Sequence, residues 1–184
     1  ISKDDAKKYI EDAKNGTTDG EAVTDPEKTE VRAYLKVEPK SYDEKNNYTL
    51  DITPMYDVVV IGKKDNKAAE KVVESKKLTV SDETNITVQL PAGFVANTDT
   101  LYVQHKGHEY DATVTEKNGT CTASFINPDG FSVFTISKTT QAVAQIGDKQ
   151  IGYKKYTSLQ DAVDAVKRGE TITVIKVGQP ASVS

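Results

Sequence analysis

The chain has 184 residues, of which 36% are hydrophobic and 28% charged, with 24 basic against 28 acidic side chains and a net charge of -4. A single cysteine excludes an internal disulfide and a cysteine-rich zinc site. Basic residues interspersed with acidic ones argue against a nucleic-acid or anionic-membrane surface.

Mean hydropathy is -0.55, and no run of about 18 apolar residues is present to cross a membrane. No signal peptide stands at the start, and the opening at Ile1 reads as the start of an excised or processed piece of a longer polypeptide.

In chain order, residues 3–15, "KDDAKKYIEDAKN", place Ala6, Tyr9, Ile10 and Ala13 at helical spacing, with Gly16 as a stop. The stretch 16–28, rich in Gly, Thr and Asp and broken at Pro26, reads as a linker. From residue 29 the period changes to two. "TEVRAYLKVEP" alternates Val31, Ala33, Leu35 and Val37 against Arg32, Tyr34 and Lys36, the pattern of a strand with one buried and one wet face. Leu50 and Ile52 follow, then a break at Pro54, then the run Val58 to Ile61. The stretches "KLTV", "NITVQLP", "TLYVQH", "YDATVT", "TASFI" and "SVFTIS" recur at short intervals between turn-forming segments. Many short alternating strands predict an immunoglobulin-like antiparallel β-sandwich over residues 29–138.

Residues 139–184 read as a small β-β-α-β unit with a polar tail. Its helix carries the stripe Leu159, Ala162, Val163 and Val166, with a capping box at Thr157 and Gln160, Lys167 and Arg168 at the cationic end, and Gly169 as the stop. The expected organisation is therefore an N-terminal helix and linker (1–28), a β-sandwich able to fold by itself (29–138), and an α/β unit that begins a following domain (139–184).

The metal candidates are His105 and His108. In "QHKGHE" the pair Lys106-Gly107 makes a two-residue hairpin turn, which sets the two imidazoles directly opposite one another with Glu109 on the other face. Two ligands fall short of the three or four a zinc site needs, so the expectation is a pair of rings capping the edge of the core, with no metal and no cofactor. Alternation in "TCTASF" puts Cys121 in the core with Ala123 and Phe125. The acidic turns "SDETN" and "NPDG" lack the spacing of a calcium loop. No G-x-S-x-G elbow, phosphate-binding glycine loop or recognisable triad is present, so no catalytic residue is expected.

Leu90, Pro91, Gly93, Val103, His105, Phe131, Ser132, Phe134 and Ile136 carry a pattern of an "LP.G" turn, a "V.H" strand and a closing "FS.F.I" strand. This resembles a β-sandwich module of Firmicutes cell-surface proteins, in which the His position looks like part of the fold. "YTSLQDAVDAVKRGETITVI" resembles the segment that leads into pectin-lyase-like parallel β-helices, but only one strand follows it here. The resemblances imply a non-catalytic structural or adhesive module, extracellular and associated with the cell wall. Its expected partners are a surface glycan, a host or bacterial protein, and neighbouring domains of the same polypeptide. They would also admit a Lys-to-Asn isopeptide cross-link, for which Lys36 on a polar face and Asn127 in a turn are poorly placed. The rival reading is a carbohydrate-binding module attached to a glycan-active enzyme, with Tyr34, Tyr48, Tyr56, Tyr102 and Tyr110 as the aromatics available to stack on sugar.

Overall fold

A computed structural model describes residues 2–15, 22–43, 47–94, 100–148 and 152–175. The Gly16 stop, residues 16–21 of the expected linker and the polar tail lie outside them.

The chain is mainly β, an open antiparallel arrangement with two helices, consistent with the expected sandwich-like class. Its elements are α1 (Lys3–Asn15), β1 (Asp25–Tyr42), β2 (Asn47–Lys64), β3 (Lys67–Lys77), β4 (Thr84–Gln89), β5 (Thr100–His105), β6 (His108–Lys117), β7 (Thr120–Asn127), β8 (Val133–Ser137), β9 (Ala144–Asp148), β10 (Gly152–Tyr156), α2 (Leu159–Ala165) and β11 (Ile172–Val174). Hydrogen bonding runs β1-β2-β8-β5-β6-β10-β9-β11, with β3 on β2, and with β7 joining β4 to β6. The chain divides into two compact units, Ile1–Val37 with Thr53–Val80, and Glu38–Ile52 with Ser81–Ser184. The β-β-α-β segment therefore shares a unit with β4 to β8.

In the first unit, Ser2 caps α1, its Oγ accepting from Asp5 N–H at 3.1 Å. The apolar stripe of α1 buries Ala13 with Val23 and Val60, and Tyr9, Ala69 and Val73 pack around them. Tyr9 donates its hydroxyl hydrogen bond to Glu74 on β3. Asp65 and Asn66, both at positive φ, close a two-residue turn between β2 and β3. A register shift at Val58/Val59 breaks strict alternation, so Val58, Val59 and Val60 are all buried. Gly62 is required by close approach: a Cβ there would stand 2.1 Å from the carbonyl oxygen of Asp25.

Several local expectations are corrected here. The first strand begins at Asp25 and runs through Pro26 and Pro39, because proline is tolerated on a strand at the edge of a sheet. Its expected buried face is not formed, Val31, Ala33 and Val37 being exposed and Leu35 half-buried. Pro54 does not break β2. It lies inside the strand, just after the segment paired with β8 and just before the one paired with β3, and its carbonyl accepts from Leu78 N–H at 2.9 Å. "KLTV" is not a strand. The strand is the preceding "KAAEKVVESKK", which carries few apolar residues because most of its side chains are exposed.

In the second unit the expected alternation is kept: Tyr48, Leu50 and Ile52, then Ile86, Val88 and Leu90, then Leu101, Val103 and His105 are buried in turn. The C-terminal segment has the expected order of strand, strand, helix and strand, and buries Ala144, Ile146, Tyr156 and Ala162 together. Its helix is shorter than expected. Ser158, not Thr157, is the N-cap, accepting from Asp161 N–H, and the helix ends at Ala165, short of Lys167 and Arg168. Of the stripe, Ala162 is buried and Val166 packs beside it, whereas Leu159 and Val163 are 47% and 49% exposed. Only one side of a helix this short meets the strands.

Candidate functional site

The β5–β6 hairpin has the expected geometry. Lys106 and Gly107 both take positive φ, and His105 stands directly opposite His108. The two rings nevertheless serve different partners. His105 is 2% exposed, stacks face to face on Phe134 with centroids 3.8 Å apart, and has Nε2 2.8 Å from Ser132 Oγ. Its Nδ1 is buried with no hydrogen-bond partner. Burial, aided by the Lys106 charge, lowers its pKa to about 4, so the ring is neutral at ordinary pH.

His108 turns to Asp129, with Nδ1 2.6 Å from Oδ2. Asp129 is ionised, so Nδ1 carries the proton and donates. Tyr110 also donates its hydroxyl to Asp129, and Lys154 Nζ approaches the other carboxylate oxygen at 3.7 Å. Burial pushes the Asp129 carboxyl up, but the hydrogen bonds from Tyr110 and His108 and the nearby positive charge outweigh it and hold the group below its ordinary range. Burial first, and Asp129 second, push the Tyr110 phenol far up, so it stays a donor.

The turn that presents Asp129 is held by Asn127, which is 1% exposed. Its Nδ2 donates to Gly130 O at 2.6 Å and its Oδ1 accepts from Asp129 N–H at 3.2 Å. This is the work of the "NPDG" acidic turn, and it leaves the Asn127 carboxamide engaged.

Glu109, on the opposite face of β6 as expected, is only 3% exposed. It accepts from Gln104 Nε2 at 2.9 Å, Thr140 Oγ1 at 2.6 Å and the backbone N–H of Gln141 at 2.6 Å. The carboxylate therefore ties the chain leaving β8 onto the hairpin. On the other side of the tip, Gly107 O accepts from Thr157 N–H at 3.0 Å, and the Tyr156 ring meets the His108 ring edge-on at 4.8 Å. Both contacts dock the β-β-α-β segment on the hairpin. Glu109 and Asp129 escaped the sequence reading because each gains its partners only from distant segments. The one sequence signal was the Glu109 carboxylate at the start of a strand beside a buried face.

A cleft of about 260 Å³ opens here, lined by Glu83, His108, Tyr110, Ile126, Pro128 and Lys154 among others. Its apolar wall and mixed charges suit a polar, uncharged or zwitterionic group. Its one hydroxyl, Tyr110, is held protonated by Asp129 and is no nucleophile. Among the described residues no group of three or more His, Cys, Asp or Glu side chains converges to hold a metal ion.

Cys121 corrects the core expectation. Ala123 and Phe125 are buried, but Cys121 is half-buried opposite Glu116, near the end of the β6–β7 hairpin, where it borders a second cleft of about 320 Å³. Of the tyrosines named for sugar stacking, Tyr48 is 5% exposed and Tyr110 lies parallel to Phe125 with its hydroxyl engaged. Tyr34 is 41% exposed and donates to Asp57 at 3.1 Å. Tyr56 and Tyr102 are half-buried. Among the described residues no helix is long and apolar enough to cross a membrane. Compared with known protein families, curated proteins and solved structures, the chain matches none.

Proposed function

We infer that this chain is a non-catalytic structural or adhesive module of a bacterial cell-surface protein, working outside the cell next to other domains of the same polypeptide. The observation that carries the reading is the hairpin tip. Its reactive side chains are engaged in holding segments together: His105 in the core, Glu109 on residues 140–141, and His108 with Tyr110 on Asp129. A surface spacer needs consecutive segments fastened to one another, and buried, fully bonded carboxylates do this. The resemblance to Firmicutes surface modules supports the same reading, since Leu90, Val103, His105, Phe134 and Ile136 are all buried. The test is turnover of glycan, peptide and ester substrates by the purified chain. None is expected, and turnover abolished by Asp129→Asn would overturn the reading. The cleft beside Tyr110 favours the second reading, a carbohydrate-binding module, and saturable glycan binding lost in Lys154→Ala and Glu83→Ala would select it.

A further inference from the structure

Strand β1 runs for 18 residues and, among the described residues, has one sheet neighbour, β2. Its other edge presents a row of alternate backbone N–H and C=O groups, a template for another strand. Proteins blunt such edges with proline, and here Pro26 and Pro39 bracket a stretch that contains none. Within that stretch Val31 is 53%, Tyr34 41% and Val37 38% exposed, so apolar surface lies open beside the unpaired edge.

The sequence between the prolines is complementary to itself when reversed. An antiparallel pair with its two-fold axis at Ala33 sets Glu30 opposite Lys36, Val31 opposite Leu35, and Arg32 opposite Tyr34, and every pair occurs twice. Apolar residues then meet on one face. On the other face opposite charges meet, and the guanidinium meets an aromatic ring. Moving the axis one residue toward Tyr34 sets Arg32 opposite Lys36, and moving it toward Arg32 sets Lys28 opposite Lys36. Like charges directly opposite oppose pairing, so one register stands out. Ion pairs already on this strand, among them Lys28 with Glu30 at 2.6 Å and Arg32 with Glu70 at 3.0 Å, are solvent-exposed and rearrange at little cost.

We propose that β1 is a self-recognising edge through which two copies of this chain associate by antiparallel β1–β1 pairing centred on Ala33, continuing the sheet across a two-fold axis. The partner is a second copy, and the interface does not depend on the function inferred above.

The test follows the whole chain by sedimentation velocity over a range of concentrations, together with a disulfide trap. The native chain dimerises. Glu30→Lys and Lys36→Glu each place two like-charged pairs across the axis and weaken self-association roughly tenfold or more. Mixing the two variants restores a dimer, because the mixed pair is complementary at both positions. In a Cys121→Ser background, Ala33→Cys forms a cross-linked dimer on mild oxidation. Val31→Cys does not, since its counterpart lies four residues along the partner strand, about 13 Å away. A native chain that stays monomeric without a cross-link at position 33 would overturn the proposal. So would equal cross-linking at position 31, a mixture of the two charge variants that fails to pair, or capture of strands of unrelated sequence in place of a second copy.

Discussion

At the hairpin tip, Glu109 is 3% exposed and accepts three hydrogen bonds, two from side chains and one from the backbone of Gln141. Along β1, Glu30 is half-exposed, with Lys28 Nζ 2.6 Å away and Arg32 at 3.4 Å. Both are carboxylates within a strand. The first has exchanged water for fixed donors, so its loss removes three hydrogen bonds to a buried charge. The second keeps its water, so its partners in the chain add little to stability and remain available to another strand. Burial, not residue type, decides whether a charge holds the fold or faces outward.

The comparison can be sharpened by substitutions of descending effect. The largest belongs to Ala162→Asp, which drives a carboxylate among Ala144, Ile146 and Tyr156 and costs roughly 4 kcal/mol in urea unfolding. Val163→Asp, one residue on and 49% exposed, stays within about 0.5 kcal/mol of the parent. Glu109→Ala strands the N–H of Gln141 and the hydroxyl of Thr140 and costs about 3 kcal/mol. Hydrogen exchange there should rise first at residues 140–142, and protection unchanged at those amides would break the contrast with β1. Gly62→Ala involves no charge: its methyl meets the Asp25 carbonyl at 2.1 Å and costs about 2 kcal/mol, read as loss of amide protection at the start of β1.

Acid acts on the tip in a defined direction. His105 has a folded pKa of about 4 against an ordinary 6.5, so between those values the unfolded chain binds the extra proton. Stability is intact above the upper value and falls as pH drops through the window. Asp129, held below its ordinary range, adds a loss that begins near the ordinary carboxylate pKa and continues below it. His105→Gln removes the imidazole contribution and should flatten the slope of unfolding free energy between pH 6.5 and 4. An unchanged slope would show that this ring is not the sensor. Smallest of all, Glu30→Ala shifts the unfolding free energy of the monomer by less than about 0.5 kcal/mol. A loss near that of Glu109→Ala would erase the difference between the two regions.

Much of the framework was legible in the chain itself. The helical spacing of Ala6, Tyr9, Ile10 and Ala13 marked α1 to the residue, and Lys106-Gly107 announced the turn that sets His105 opposite His108. The order of strand, strand, helix and strand after residue 139 was readable from a change of period. β3 was not, because eleven residues with few apolar side chains form a strand only when a neighbour supplies the ladder. Pro54 misled for the complementary reason: as a lone residue it signals a break, yet β2 changes partners there.

What the sequence alone determined is therefore local, namely period, turns and the hairpin register, because these depend on residues a few positions apart. Tertiary structure alone decided which polar groups are buried and what they touch. Glu109 found Gln141, His108 and Tyr110 found Asp129, Cys121 moved out to a cleft, and Leu159 and Val163 stayed on the surface. Desolvation and hydrogen bonding are set by segments far apart in the chain, so no pattern within one strand or helix encodes them.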